Sequence, residues 1–174
     1  MEFRRAASGD AALLHDVAAA TFALACPPDS SPDDVQLFID THLTEARFDE
    51  YLADPERDLF VAVEGERAFG YTMLIAGEPT DPDVAASVAL RPTVELSKMY
   101  VRPDAHGSGT ASQLIERSVA IARERGAASV WLGVNDQNAR ATRFYEKSGF
   151  VRVGTKRFLL GTRWESDFVL ERIL

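Results

Sequence analysis

The sequence predicts a single mixed α/β domain, with one mostly antiparallel sheet of about six or seven strands and helices on both faces. Three observations carry this. A strand–helix–strand run over residues 93–134 requires a crossover connection and therefore one parallel pair. Hairpin signals on either side of that run, at Glu64-Gly65-Glu66-Arg67 and around Gly161, require antiparallel pairs. With 174 residues, 46% hydrophobic and 26% charged, the chain suffices for one substantial core and is short for two.

Taken in order, residues 3–6 read as a strand, and Ser8-Gly9-Asp10 can start a helix on which Leu13, Val17, Ala20 and Leu24 share a face before Pro27-Pro28 stops it. Ser31-Pro32-Asp33-Asp34 starts a second helix, with Ser at the cap, Pro in the first turn and Asp three residues after the cap. Val35, Phe38, Ile39 and His42 continue it, and a short third helix reaches Leu52. The period then shortens, giving strands at 59–64 and 68–76. Residues 77–92 hold three prolines and read as a loop of weak helical character, the most mobile part expected. Beyond it come a strand at 93–101, a helix at 107–125, a strand at 129–134 and a helix at 137–148 closed by Gly149. Strands at 150–158 and 165–171 complete the chain.

Composition narrows the function. The net charge of −8 argues against a nucleic-acid partner, which needs clustered cations, and against docking on anionic membranes. Residues 1–90 carry −13 and residues 91–174 carry +5. The N-terminal stretch lacks the pattern of a secretory leader. One cysteine, Cys26, permits no internal disulfide, and His15, His42 and His106 stand singly, without zinc spacing. A reduced, cytoplasmic, metal-free domain is the expectation, with Cys26 as a small filler.

The chemistry concentrates in Val101-Arg102-Pro103-Asp104-Ala105-His106-Gly107-Ser108-Gly109-Thr110-Ala111. A strand ends, two glycines turn, and a helix starts; unpaired N–H groups and the helix dipole then converge on a place suited to a phosphate or pyrophosphate. A P-loop is excluded because no Gly-Lys-Ser/Thr follows, and a dinucleotide fingerprint because Ser112 stands where its third glycine belongs. The pattern resembles instead the acyl-CoA loop, Gln/Arg-x-x-Gly-x-Gly/Ala, of the GNAT superfamily of N-acetyltransferases, filled here by His106, Gly109 and Ala111. Downstream, Asn138-x-x-Ala141-x-x-Phe144-Tyr145-Glu146-Lys147-x-Gly149-Phe150 resembles that superfamily's second block. His106 departs from the usual Gln or Arg.

The resemblance implies a GNAT-like fold and acetyl-CoA as co-substrate, without a metal. Residues 93–150 would form the acetyl-CoA-binding core, 1–92 the acceptor-side half and 151–174 the closing strands. Cofactor contacts would come from Met99, Tyr100 and Val101 along the strand end and from His106, Gly107, Ser108, Gly109, Thr110 and Ala111 in the loop. Asn138, Ala141 and Phe144 on the last helix would complete them, with Phe144 also a packing aromatic. Tyr145 would act as general acid toward the departing sulfur. An aliphatic amine of pKa ~10.4 must lose a proton before it reacts. Strand alternation puts Glu95 on one face with Ser97, Met99 and Val101, making it the candidate base; Asn135 faces either substrate or cofactor or makes an Asx turn.

The acceptor is expected to be a small, cationic amine, by loose resemblance to bacterial polyamine-type members. Residues 13–52 and 77–92 would shape its pocket, with Asp33, Asp34, Asp40, Glu45, Asp49, Glu50, Asp54, Glu56 and Asp58 attracting it or simply solvating a helix face. A protein N-terminal or lysine acetyltransferase and a non-catalytic acyl-CoA-binding module are the alternatives. A homodimer suits the fold, though no residue specifies one.

Overall fold

The computed structural model describes residues 1–174. Seven strands form one sheet: β1 (Glu2–Arg5), β2 (Arg57–Glu64), β3 (Arg67–Ala76), β4 (Thr93–Val101), β5 (Ser129–Asn135), β6 (Val151–Leu160) and β7 (Arg163–Ile173). Their order is β1-β2-β3-β4-β5-β7-β6, so the last hairpin inserts β7 beside β5 and leaves β6 at the edge. Only β4 and β5 run parallel, joined through α5 (Thr110–Glu124); every other pair is antiparallel.

Four helices lie on one face: α1 (Ala11–Thr21), α2 (Pro32–His42), α3 (Glu45–Ala53) and α4 (Pro82–Ser87). A core of Leu14, Val17, Phe22, Ile39, Phe48, Val61, Tyr71 and Met73 joins α1–α3 to the sheet. On the opposite face α5 and α6 (Ala139–Lys147) cover Leu74, Leu96, Leu132 and Leu170. Both faces are therefore apolar and covered, which explains the almost unbroken burial from Leu59 to Val63.

Local signals behave unevenly. Ser31 makes no side-chain cap; Asp34 instead accepts bonds from the Thr162 N–H and hydroxyl, tying α2 to the β6–β7 turn. Thr44 caps α3 by accepting from the Arg47 N–H, and Asp81 caps α4 by accepting from the Asp83 and Val84 N–H groups. The segment expected to be the most mobile is anchored: Val84 and Val88 pack on Trp131 and Val169, and Glu171 accepts from the Ala89 and Leu90 amides.

Two irregularities in β4 create the site. A bulge at Ser97 shifts the β3 register, since Met73 faces Lys98 while Leu74 faces Leu96. And β4 pairs with β5 only from Thr93 to Glu95, although β5 continues to Asn135. The two central strands separate beyond that point, leaving their facing peptide groups without a ladder.

Candidate active site

The extra residue at 97 overturns the simple alternation expected for β4. Glu95 shares a face with Lys98 and Tyr100, toward α1–α4, because Ile75, Met73 and Tyr71 oppose them there. Met99 and Val101 turn to the other face, toward α5. Glu95 therefore enters a cavity on the far side from the Met99 side chain.

That cavity, of about 220 Å³, is lined by Phe22, Phe38, Glu95, Lys98, Lys156, Phe158, Glu165 and Asp167, among others. A second groove holds Val101, His106, Ala111, Arg140 and Phe144. Ala25, Met99, Tyr100, Asn138, Ala141 and Tyr145 line both, so the two spaces meet where β4 leaves β5. Of the fourteen predicted site residues, ten line one space or the other. Gly107, Ser108, Gly109 and Thr110 form the turn between His106 and Ala111.

That turn is built from positive-φ glycines, Gly107 at +81° and Gly109 at +86°, the latter at the N-cap of α5. The first helical bond of α5 runs from the Gln113 amide to the Gly109 carbonyl. The N–H groups of Gly107, Gly109, Ala111 and Ser112 precede or flank that bond and make none of their own. Ser108 donates to the Ala105 carbonyl and shares a bond with the Thr110 hydroxyl, so these side chains brace the loop rather than face a ligand. The His106 ring is also engaged, its Nε2 lying 2.9 Å from the Val101 carbonyl.

Asn138 caps α6, accepting from the Ala141 amide, and lines both spaces. Asn135 makes an Asx turn, accepting from the Gln137 amide, while lining the deeper cavity. Tyr145 packs edge-on against Phe144 and Phe150. Burial pushes its phenol well above the ordinary tyrosine value, so it stays protonated across the working range.

Titration within the cavity is set by burial. It raises Glu95 above the usual carboxylate range, opposed by the charges of Lys156, Lys98 and Arg57. It raises Asp167 to about 6, lowers Lys98 to about 8 and lifts the Cys26 thiol to about 11, which leaves that cysteine inert, as a filler should be. The Lys156 ammonium lies 4.0 Å from Asp167. Its stem crosses β5 over Gly133, where a Cβ would collide with it.

Of the expectations for the acceptor side, a pocket role for residues 77–92 and an attracting role for the N-terminal acids find no support here. No residue of 77–92 and none of the nine N-terminal carboxylates lines the cavity. Asp58 is buried against Arg5 and Arg125 and Asp54 pairs with Arg57, so these acids are structural. The carboxylates that do face the cavity are Glu95, Glu165 and Asp167, all in the half that carries net positive charge. Lys98, Lys156, Phe22, Phe38, Phe158, Glu165 and Asp167 were not foreseen. Alternation marks 156, 158 and 160 as sharing one face, but only the β5-β7-β6 order brings that face over the cavity.

Comparison with known proteins bears on this geometry. The profile of the acetyltransferase (GNAT) family matches residues 21–150. An uncharacterised N-acetyltransferase of Mycobacterium tuberculosis is 46% identical over 165 residues, 95% of this chain and 98% of its own. Among solved structures, the PaiA N-acetyltransferase of Thermoplasma acidophilum in complex with coenzyme A superposes with a TM-score of 0.77 at 17% identity, covering 99% of this chain and 98% of that one. A ribosomal-protein-alanine N-acetyltransferase of Brucella melitensis gives 0.68 at 23% identity over the full length of both chains.

Proposed function

The chain belongs to the GNAT family of acetyltransferases and is an acetyl-CoA-dependent N-acetyltransferase, and from that premise we propose that its acceptor is the primary amine of a small, cationic molecule, with Tyr145 as general acid and Glu95 as base. The observation that carries this reading is the meeting of two spaces at Met99, Asn138, Ala141 and Tyr145. One has the character of a cofactor groove, the other of a small acceptor cavity.

The residues fit acetyl-CoA. Free amides of Gly107, Gly109, Ala111 and Ser112 at the start of α5 suit a pyrophosphate. Beyond Glu95 the exposed edge of β4 suits an amide-bearing arm, because its peptide groups have no partner from β5. Bound there, acetyl-CoA supplies an activated acetyl group. An N–H near Met99 would stabilise the charge that develops on the carbonyl oxygen. Tyr145, kept protonated by burial, would deliver its proton to the sulfur.

Glu95, on the acceptor side, would take the proton from the amine directly or through a water. Its raised pKa improves it as a base near neutrality, while the nearby Lys156, Lys98 and Arg57 charges favour its ionised form. The aromatic wall of Phe22 and Phe38, stacked 4.3 Å apart, with Phe158 at 5.4 Å from Phe38, would hold an apolar body and exclude water. Free CoA appearing on incubation with acetyl-CoA or longer acyl-CoAs and a panel of small amines tests the assignment. Amine-dependent release supports it; transfer to peptide N-termini or lysines alone moves the function to a protein substrate.

A further inference from the structure

We propose that the acceptor carries a carboxylate beside its amine, in the manner of an α-amino acid with an apolar side chain, and that Lys98 is the residue that binds it. This rests on the small primary-amine reading above and revises its charge: such an acceptor is a zwitterion rather than a net cation.

Only two cations line the acceptor cavity, Lys98 and Lys156. Lys156 has Asp167 at 4.0 Å. Lys98 has no such partner: no carboxylate lies within ion-pair distance, its one anionic neighbour is Glu95 on the same face of β4, and the Tyr51 ring lies 6.0 Å from its ammonium. The same ring carries Arg57 at 4.7 Å, but Arg57 is paired with Asp54 at 2.9 Å. An ammonium withdrawn from water without a carboxylate in contact is costly. A methionine or leucine would fill that wall at less cost, so the charge at 98 calls for a role. An anion entering the cavity supplies what the protein does not.

The bulge fixes where that anion sits. With Ser97 extruded, Glu95 and Lys98 become next neighbours on one face of β4, about 6–7 Å apart along the strand. A carboxylate and an ammonium side by side at this spacing match the ammonium and carboxylate of one small zwitterion, each facing its opposite. The acceptor amine is thereby placed on the group proposed as its base, and the Phe22, Phe38 and Phe158 rings remain for the side chain. Groups charged or titratable around Lys98 are Glu95 on its own strand, Arg57 on β2, Tyr51 on α3 and His42 on α2; among them only Glu95 is anionic, and it is committed to the amine. The small cavity suits a body of amino-acid size rather than a longer chain.

The test compares matched acceptors, L-phenylalanine with 2-phenylethylamine and L-leucine with 3-methylbutylamine, in wild type, Lys98→Met and Lys98→Arg. The amino acid should be the better acceptor of each pair in wild type, the difference residing in KM. In Lys98→Met the ratio of kcat/KM within each pair should fall at least tenfold, and in Lys98→Arg most of it should survive. Reading the change in ratio cancels the unequal basicity of the two amines. The proposal is overturned if the ratio is the same in wild type and Lys98→Met, or if wild type prefers the decarboxylated amines. If no member of either pair is acetylated while other small amines still release CoA, this inference falls and the small-amine reading stands; if the whole amine panel is inert while acetyl-CoA still raises the melting temperature of wild type, both fail.

Discussion

At the scale of single residues, the account places distinct demands on Tyr145, Glu95 and Asp167. Removing the phenol proton by Tyr145→Phe should lower kcat at least about tenfold while leaving acetyl-CoA affinity nearly unchanged. The loss belongs at the low end of acid catalysis because a thiolate, with a thiol pKa of ~8.5, leaves with modest help. Steady-state kinetics with a titration of acetyl-CoA binding separates the two. For Glu95, burial raises the carboxyl, so kcat/KM measured with a weakly basic acceptor should fall on acidification above the ordinary carboxylate range near ~4.3. Glu95→Gln should lower the rate and remove that acidic limb.

Asp167 makes a prediction about stability. Its folded pKa of about 6 exceeds the unfolded value of ~3.9, so the folded state holds the proton more tightly. Stability is therefore fully retained below about pH 4 and declines as pH rises through 6. Asp167→Asn removes that penalty and should stabilise the protein at pH 7 by up to about 3 kcal/mol, less whatever the Lys156 pairing contributes. Urea unfolding at pH 7 and pH 4 checks the sign: the gap between variant and wild type should close at the lower pH.

At the scale of elements, what was legible in the sequence is what local chemistry decides. Turn glycines, the β4–α5–β5 crossover and the helix from 137 announce themselves through φ requirements, patterning and caps, and all seven strands are found near their expected bounds. The loop at 106–111 was readable because its function is a backbone function, and glycines at positive φ write that into the sequence. The bulge at Ser97 was not readable. Nothing in Thr93–Val101 distinguishes a bulged strand from a regular one, and a one-residue shift moved Glu95 from the face of Met99 to that of Lys98.

Gly133 illustrates the same limit. In sequence it is a glycine in a strand; in three dimensions it is the gap through which Lys156 crosses β5 toward Glu95. Gly133→Ala should displace the Lys156 stem, reduce kcat/KM for the amine several-fold and leave acetyl-CoA binding intact, as paired kinetics and binding isotherms would show. His106→Ala, by contrast, should raise the KM for acetyl-CoA by less than tenfold. The ring braces the Val101 carbonyl, and most of the anion-binding capacity lies in backbone amides.

At the scale of the whole molecule, the sheet is a frame split at its centre. β4 and β5 diverge beyond Glu95, and each face then contributes one wall: α5 and α6 to the groove proposed for the cofactor, the 3₁₀ turn Phe22–Ala25, α2 and the β6–β7 hairpin to the cavity proposed for the acceptor. The charge division between the two halves does not map onto this plan. Asp54, Glu56 and Asp58 are tied to Arg57, Arg125 and Arg5, whereas the cavity's carboxylates come from β4 and β7. Sequence position separated acidic from basic residues, but topology decided which of them face the cavity. No helix is long and apolar enough to cross a membrane.

If an acetyl group passes from acetyl-CoA to an amine at the split between β4 and β5, under the control of Tyr145, thiol release must depend on both the amine and that phenol. Thiol release from acetyl-CoA, followed with and without a small primary amine in wild type and Tyr145→Phe, addresses it most directly. Wild type should release thiol only with the amine present, and the variant should do so at least about tenfold more slowly at unchanged acetyl-CoA affinity. Release that does not depend on the amine, or equal turnover by the two proteins, would contradict it.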